Sequence, residues 1–180
     1  MRRTKSALLI LVVAFAGSWG TASAQPAADA PPPAPVQAPL PATALLTLTT
    51  IPGGWSERVD LRPLLQIYAD GHAVKQPDAA ATTRAADALP QRLTGTVPTD
   101  VLNAALAETR SLAALDLGMP TDNDQGSQII DLMPAPPDQD VHALMYAPEG
   151  SDGLSTEQQA NRKRFTDLYR KLLDAFVQDR

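Results

Sequence analysis

The sequence predicts one α+β domain over residues 43–180, with an antiparallel sheet of about four or five strands covered on one face by two helices. Three observations lead there. Pro63–Gln76 (PLLQIYADGHAVKQ) sets Asp70 and Gly71 between two short β-prone runs, the pattern of a tight hairpin. Ser127–Met133 (SQIIDLM) and Val141–Ala147 (VHALMYA) are two more such runs, each closed by proline. From Ser155 onward the spacing changes to that of an amphipathic helix. A hairpin with one apolar face is marginal in water, so it needs further strands or a helix over it. Strands interrupted by two separated helices then make a mixed, layered domain.

Taken in order, the chain opens with a segment that is not fold. Arg2, Arg3 and Lys5 precede the apolar run Ala7–Trp19, and Ala22-Ser23-Ala24 closes it with small residues. That is the build of a secretory signal peptide, with cleavage expected after Ala24. The run falls short of the roughly 20 apolar residues that span a bilayer, so no stable membrane insertion is expected once it is cut. Gln25–Ala42 holds seven prolines and almost no apolar bulk, and reads as a disordered, extended linker.

Thr43–Thr50 (TALLTLTT) alternates leucine and threonine and predicts the first strand. Ile51–Arg62 follows as a loop around Gly53, Gly54 and Trp55. For the hairpin, Asp70 and Gly71 suit a two-residue type I′ turn. That register sets Ala69 opposite His72 and Ile67 opposite Val74. Leu65, Ile67, Ala69, His72 and Val74 then share the apolar face; Leu64, Gln66, Tyr68, Ala73 and Lys75 share the wetter one. Pro77–Pro98 is a long polar loop with a weak helical tendency over Ala79–Leu89. Thr99 or Asp100 caps a helix to Leu112, with Val101, Leu102, Ala105, Leu106, Thr109 and Leu112 on one face. Ser155 and Gln158 form a capping box. The helix they open carries Phe165, Leu168, Tyr169, Leu172, Leu173 and Phe176 on its core stripe, with Arg162, Lys163, Arg170 and Lys171 on a solvated face.

Chemistry is sparse. With 15 Lys+Arg against 20 Asp+Glu the net charge is −5, and removing Arg2, Arg3 and Lys5 with the leader takes it to −8. That argues against nucleic acid and against anionic lipid surfaces. The chain has no cysteine, which excludes thiol nucleophiles, thiolate metal sites and disulfides. No nucleophile elbow, zinc-protease helix, P-loop or dinucleotide fingerprint occurs, so no catalytic, cofactor-binding or metal residue is assigned. His72 and His142 each fall in a strand, and neighbouring strands would bring them together as a metal or acid–base pair. The turn Thr121–Gly126 has the outline of a calcium loop, but its ligand positions hold Thr121, Asn123 and Gln125. Asp70–Val74 recurs loosely as Asp140–Leu144, an outline of internal duplication. Trp55 and Tyr68 are the interaction candidates, aromatic side chains near the surface, with Trp55 alternatively folding back over a core edge.

Gly53-Gly54-Trp55, Ile67–Gly71 and Thr121-Asp122 resemble the motifs of a family of exported proteins and lipoproteins of actinobacteria: a Gly-Gly-aromatic loop, a Tyr-small-Asp-Gly hairpin and a later Thr-Asp turn. The likeness spans roughly residues 45–147. Ala69 departs from the glycine common there, and the leader ends without a lipidation cysteine. The resemblance implies export and fold, and no known activity. Together these features predict a secreted or cell-envelope, non-enzymatic binding protein acting on a protein or envelope component. The alternatives are a hydrolase using His72 or His142 with a carboxylate, and a structural envelope protein.

Overall fold

The structure is a computed structural model and describes residues 42–55, 58–121 and 125–180. The expected signal peptide, nearly all of the linker, and the centre of the Thr121–Gly126 turn lie outside the described residues. Nine elements follow one another: β1 (Leu46–Ile51), β2 (Leu65–Ile67), β3 (His72–Lys75), β4 (Leu93–Thr96), α1 (Thr99–Leu112), β5 (Ser127–Leu132), β6 (Val141–Tyr146), α2 (Thr156–Asp174) and β7 (Val177–Gln178). The strands form one sheet in the order β6-β5-β1-β2-β3-β4-β7, with every neighbouring pair antiparallel. The α+β class is as expected, and the sheet is wider.

The two added strands explain themselves physically. β4 is a four-residue run inside what reads as a polar loop, and it pairs with β3 from Lys75↔Leu93 to His72↔Thr96. Its centre, Gly95, is there for close approach: a Cβ would come within 2.7 Å of the Phe176 ring and collide with the Val177 carbonyl. β7 is a two-residue addition after α2, pairing Gly95↔Gln178 and Thr96↔Val177. Phe176 therefore sits in the turn between α2 and β7, beyond the end of the helix. Ala79–Leu89 forms turns instead of a helix, as its lack of an apolar stripe allows.

The hairpin differs in register from the type I′ expectation. The observed pairs are Leu65↔Lys75, Gln66↔Val74 and Ile67↔Ala73. Tyr68 N–H donates to the His72 carbonyl (2.8 Å), and Gly71 N–H donates to the Tyr68 carbonyl (2.9 Å). Only Gly71 has positive φ, at +83°, so the connection is a three-residue loop closed by a left-handed glycine. One residue of slip moves β3 to the opposite faces. Ala73 and Lys75 now lie with Leu65 and Ile67, while His72 and Val74 lie with Gln66 and Tyr68.

Both helices cover the first face. There Leu46, Leu48, Leu65, Ile67, Ile130, Leu132 and Met145 meet Leu102, Leu112, Phe165, Leu168 and Leu172 in a single core. Full burial of side chains this size contributes about 1.5–3 kcal/mol each. α1 begins at Thr99 with Pro98 as its N-cap and no side-chain cap bond, so neither Thr99 nor Asp100 is the cap. α2 has its capping box, Gln158 N–H to Ser155 Oγ at 3.1 Å and Ser155 N–H to Gln158 Oε1 at 2.9 Å. Arg162, read from sequence as solvated, is buried. It sits three residues before Phe165 on the core stripe, and its guanidinium donates to the carbonyls of Leu117, Tyr146 and Ala147. No helix among the described residues is long and apolar enough to cross a membrane.

Candidate functional site

With the helices confined to one face, the second face decides what the domain can meet. Its two halves differ. Over β2, β3 and β4 the loops fold back: Val74 projects to this side yet is only 1% exposed, and Trp55 and Ala79 are buried outside the main core. A charged clamp ties those loops together. Arg58 lies over the Trp55 ring at 4.3 Å and grips Asp60 through both Nε and Nη2 at 2.6 Å. Arg84 reaches the same carboxylate at 2.9 Å and also donates to the Ala79 and Ala88 carbonyls. The hydrogen bonds from Arg58, then Arg84, hold the Asp60 carboxyl well below the usual carboxylate range, and Asp60 raises Arg58 in return. Alternation along this segment turns Arg58 and Asp60 inward and leaves Val59 and Leu61 exposed.

The other half, β1, β5 and β6, is the more open one among the described residues, although Thr47 is buried. Register places nine side chains there in three rows: Ile51–Ser127–Tyr146, Thr49–Ile129–Leu144 and Thr47–Asp131–His142. Leu144 is 45% exposed, and Ile51, Ile129 and Tyr146 are half-buried. Four apolar or aromatic groups therefore make a flat patch, bounded at one end by a polar row. In that row Asp131 accepts from Thr47 Oγ1 (3.4 Å) through one oxygen and meets His142 Nδ1 through the other. The pairing engages the imidazole through Nδ1. The His142 side chain is 63% exposed.

The histidines do not come together. β3 and β6 are four strand spacings apart, about 19 Å at ~4.8 Å per strand. His72 instead stacks on Tyr68, ring centres 5.8 Å apart, and its backbone N–H donates to Asp70 Oδ1 at 3.0 Å. With Ala42, Thr43 and Ala69 these residues line an open cavity of about 510 Å³ at the hairpin tip. Of the two interaction candidates, Tyr68 thus walls a cavity, while Trp55 is folded back under Arg58. Among the described residues no three His, Asp or Glu side chains gather as a metal site. The Asp140–Leu144 echo of the hairpin shares facing with it, His outward and Ala inward. β3, however, is paired on both sides and β6 on one.

Sequence reasoning missed the Asp131–His142 pair and the apolar rows because both are cross-strand features. Alternation along β5 and β6 was legible; which strand lay beside which was not. No family model, curated protein or solved structure matched the chain. Fold and surface together define an α+β protein whose sheet is helix-covered on one side and half open on the other.

Proposed function

We propose that the protein is an exported, non-enzymatic binding module that engages a protein or envelope component through the open β6–β5–β1 face. The observation that carries this is the apolar patch of Ile51, Ile129, Leu144 and Tyr146 on a rigid sheet, beside an ordered Asp131–His142 pair. Antiparallel sheets commonly keep one face in water, but that face is then mostly polar; here four of the six positions in two adjacent rows are apolar or aromatic. The surface is flat, which suits a macromolecular partner better than a small molecule, whose sites are concave. The basic start, apolar run and small-residue end of residues 1–24 support export, as does the likeness to exported actinobacterial proteins. The acidic balance argues for a partner that is neither nucleic acid nor anionic lipid.

Ile129→Lys tests this, because the side chain lies mid-patch and outside the main core. Envelope extract passed over the immobilised chain yields a partner that Ile129→Lys fails to retain, while its unfolding midpoint stays near that of wild type. Equal capture by both proteins refutes the open face as the site. The hydrolase reading has the Asp131–His142 pair in its favour. Loss of an ester or peptide hydrolysis activity in His142→Ala would replace the binding reading with it.

A further inference from the structure

The two edges of the sheet are unlike. β7 ends one side with two residues, too short to template another strand. β6 ends the other with six, VHALMY, which contain no proline and no lysine, arginine or acidic residue. Natural edges are usually protected by just those devices. The phase of the ladder shows which groups face outward. Ala147 N–H donates to the Gly126 carbonyl, so the odd-numbered residues of β6 bond β5. Met133 N–H donates to the Leu45 carbonyl, so the odd residues of β5 bond β1 and its even residues bond β6, which agrees. His142 and Leu144 therefore turn their N–H and C=O away from the sheet. Tyr146, next in that series, already gives its carbonyl to Arg162 at 2.8 Å. On the helix side, the Leu112–Gly118 segment and His142–Leu144 enclose an open groove of about 360 Å³, so this edge is reachable from solvent.

We propose that β6 pairs antiparallel with β6 of a second copy of this chain, about a two-fold axis at Ala143. Only that centre sets His142 opposite Leu144 in both directions, so that all four outward N–H groups and carbonyls are used and Tyr146 keeps its bond to Arg162. The flanking pairs are Val141 with Met145 and Asp140 with Tyr146, so no like charges oppose one another. The row Thr47–Asp131–His142 continues into Leu144–Ile129–Thr49 of the second copy, and the open patch becomes one surface across six strands. This inference stands on the backbone phase of the edge and does not depend on the partner proposed above.

The test uses the full chain. Sedimentation at tens of micromolar should give a dimer. Leu144→Pro removes an outward N–H without touching the β5 ladder and introduces the ring an edge strand tolerates. Each dimer loses two backbone bonds, which should weaken association about tenfold or more, with the unfolding midpoint little changed. Because the chain has no cysteine, pairing can be mapped directly. Facing Cα atoms in a hydrogen-bonded pair are about 5.5 Å apart, within disulfide reach, whereas equivalent residues of two copies would lie about 8–9 Å apart. His142→Cys mixed with Leu144→Cys should form the mixed disulfide under mild oxidation, and neither variant alone should cross-link. A monomeric wild type, a dimer indifferent to Leu144→Pro, or cross-links that ignore this register would each overturn the proposal.

Discussion

Arg162 is a buried cation whose removal should cost the fold about 2–4 kcal/mol. Its guanidinium is buried, burial pushes its pKa down, and no ion pair to it is present among the described residues. Three carbonyls hold the charge: Leu117 at 3.2 Å, Tyr146 at 2.8 Å, and Ala147. The last belongs to a residue with φ of +47°, a left-handed conformation costing a non-glycine about 1–2 kcal/mol. Arg162 thus fastens the loop after α1, the end of β6 and a strained corner to one turn of α2. Arg162→Met keeps most of the apolar stem and deletes the donors. Three bonds to a charged donor at ~1.5–3 kcal/mol each, less several kcal/mol for desolvating the cation, leave a net loss of about 2–4 kcal/mol. Urea unfolding measures it, and amide exchange at Ala147, whose N–H donates to the Gly126 carbonyl, should accelerate more than in the core of β1. A midpoint equal to or above that of wild type would refute the reasoning. It would mean that water satisfies the orphaned carbonyls and that the buried charge never repaid its desolvation.

Two further outcomes follow from the fold. Gly71→Val forces a β-branched residue into φ of +83°, with its Cβ 3.1 Å from the Val97 carbonyl, and should cost ~1–3 kcal/mol in thermal unfolding; an unchanged midpoint would deny the left-handed turn. Tyr169 is pushed up to about 12 by burial, against a small opposing effect of the 2.9 Å bond with Thr50. A folded pKa above the unfolded value of ~10 means this stabilisation is complete below pH 10 and is lost as pH rises from there through about 12, some ~2–3 kcal/mol in all. The stability difference between wild type and Tyr169→Phe should shrink over that window; parallel pH profiles would contradict it.

What the sequence made legible was local. The capping box at Ser155, the stripe Phe165–Leu172 and the runs that became β1, β5 and β6 carry their periods within a few residues of themselves. What it hid depended on distant chain. β4 is strand because β3 lies beside it and because Gly95 lets Phe176 approach, neither of which marks Leu93–Thr96 locally. The hairpin was recognised at the right residues with the wrong turn, since Asp-Gly suits both a two-residue loop and a three-residue loop with glycine last. That single residue of register reversed the facing of His72 and Val74. Arg162 was misplaced for a simpler reason: its charge outweighed its position, three residues before Phe165 on a stripe otherwise read correctly.

The candidate site shows the same division. Trp55 and Tyr68 stood out by residue type, yet type does not decide exposure. Trp55 is folded back beneath Arg58, outside the main core, and Asp60 and Arg84 hold that roof closed over half of the second face. The clamp is informative about the other half. Two arginines and a carboxylate hold the loops that cover β2–β4. Over β1, β5 and β6 no described loop does so, although Ile51, Ile129 and Leu144 carry as much apolar character there as Val74 and Ala79 do beneath the clamp. Apolar side chains on both faces at the Ile129 and Leu144 row are what strands need when something packs on each side of them. On one side that is the pair of helices. On the other side the patch meets no loop among the described residues, and that is the face proposed above as the binding surface.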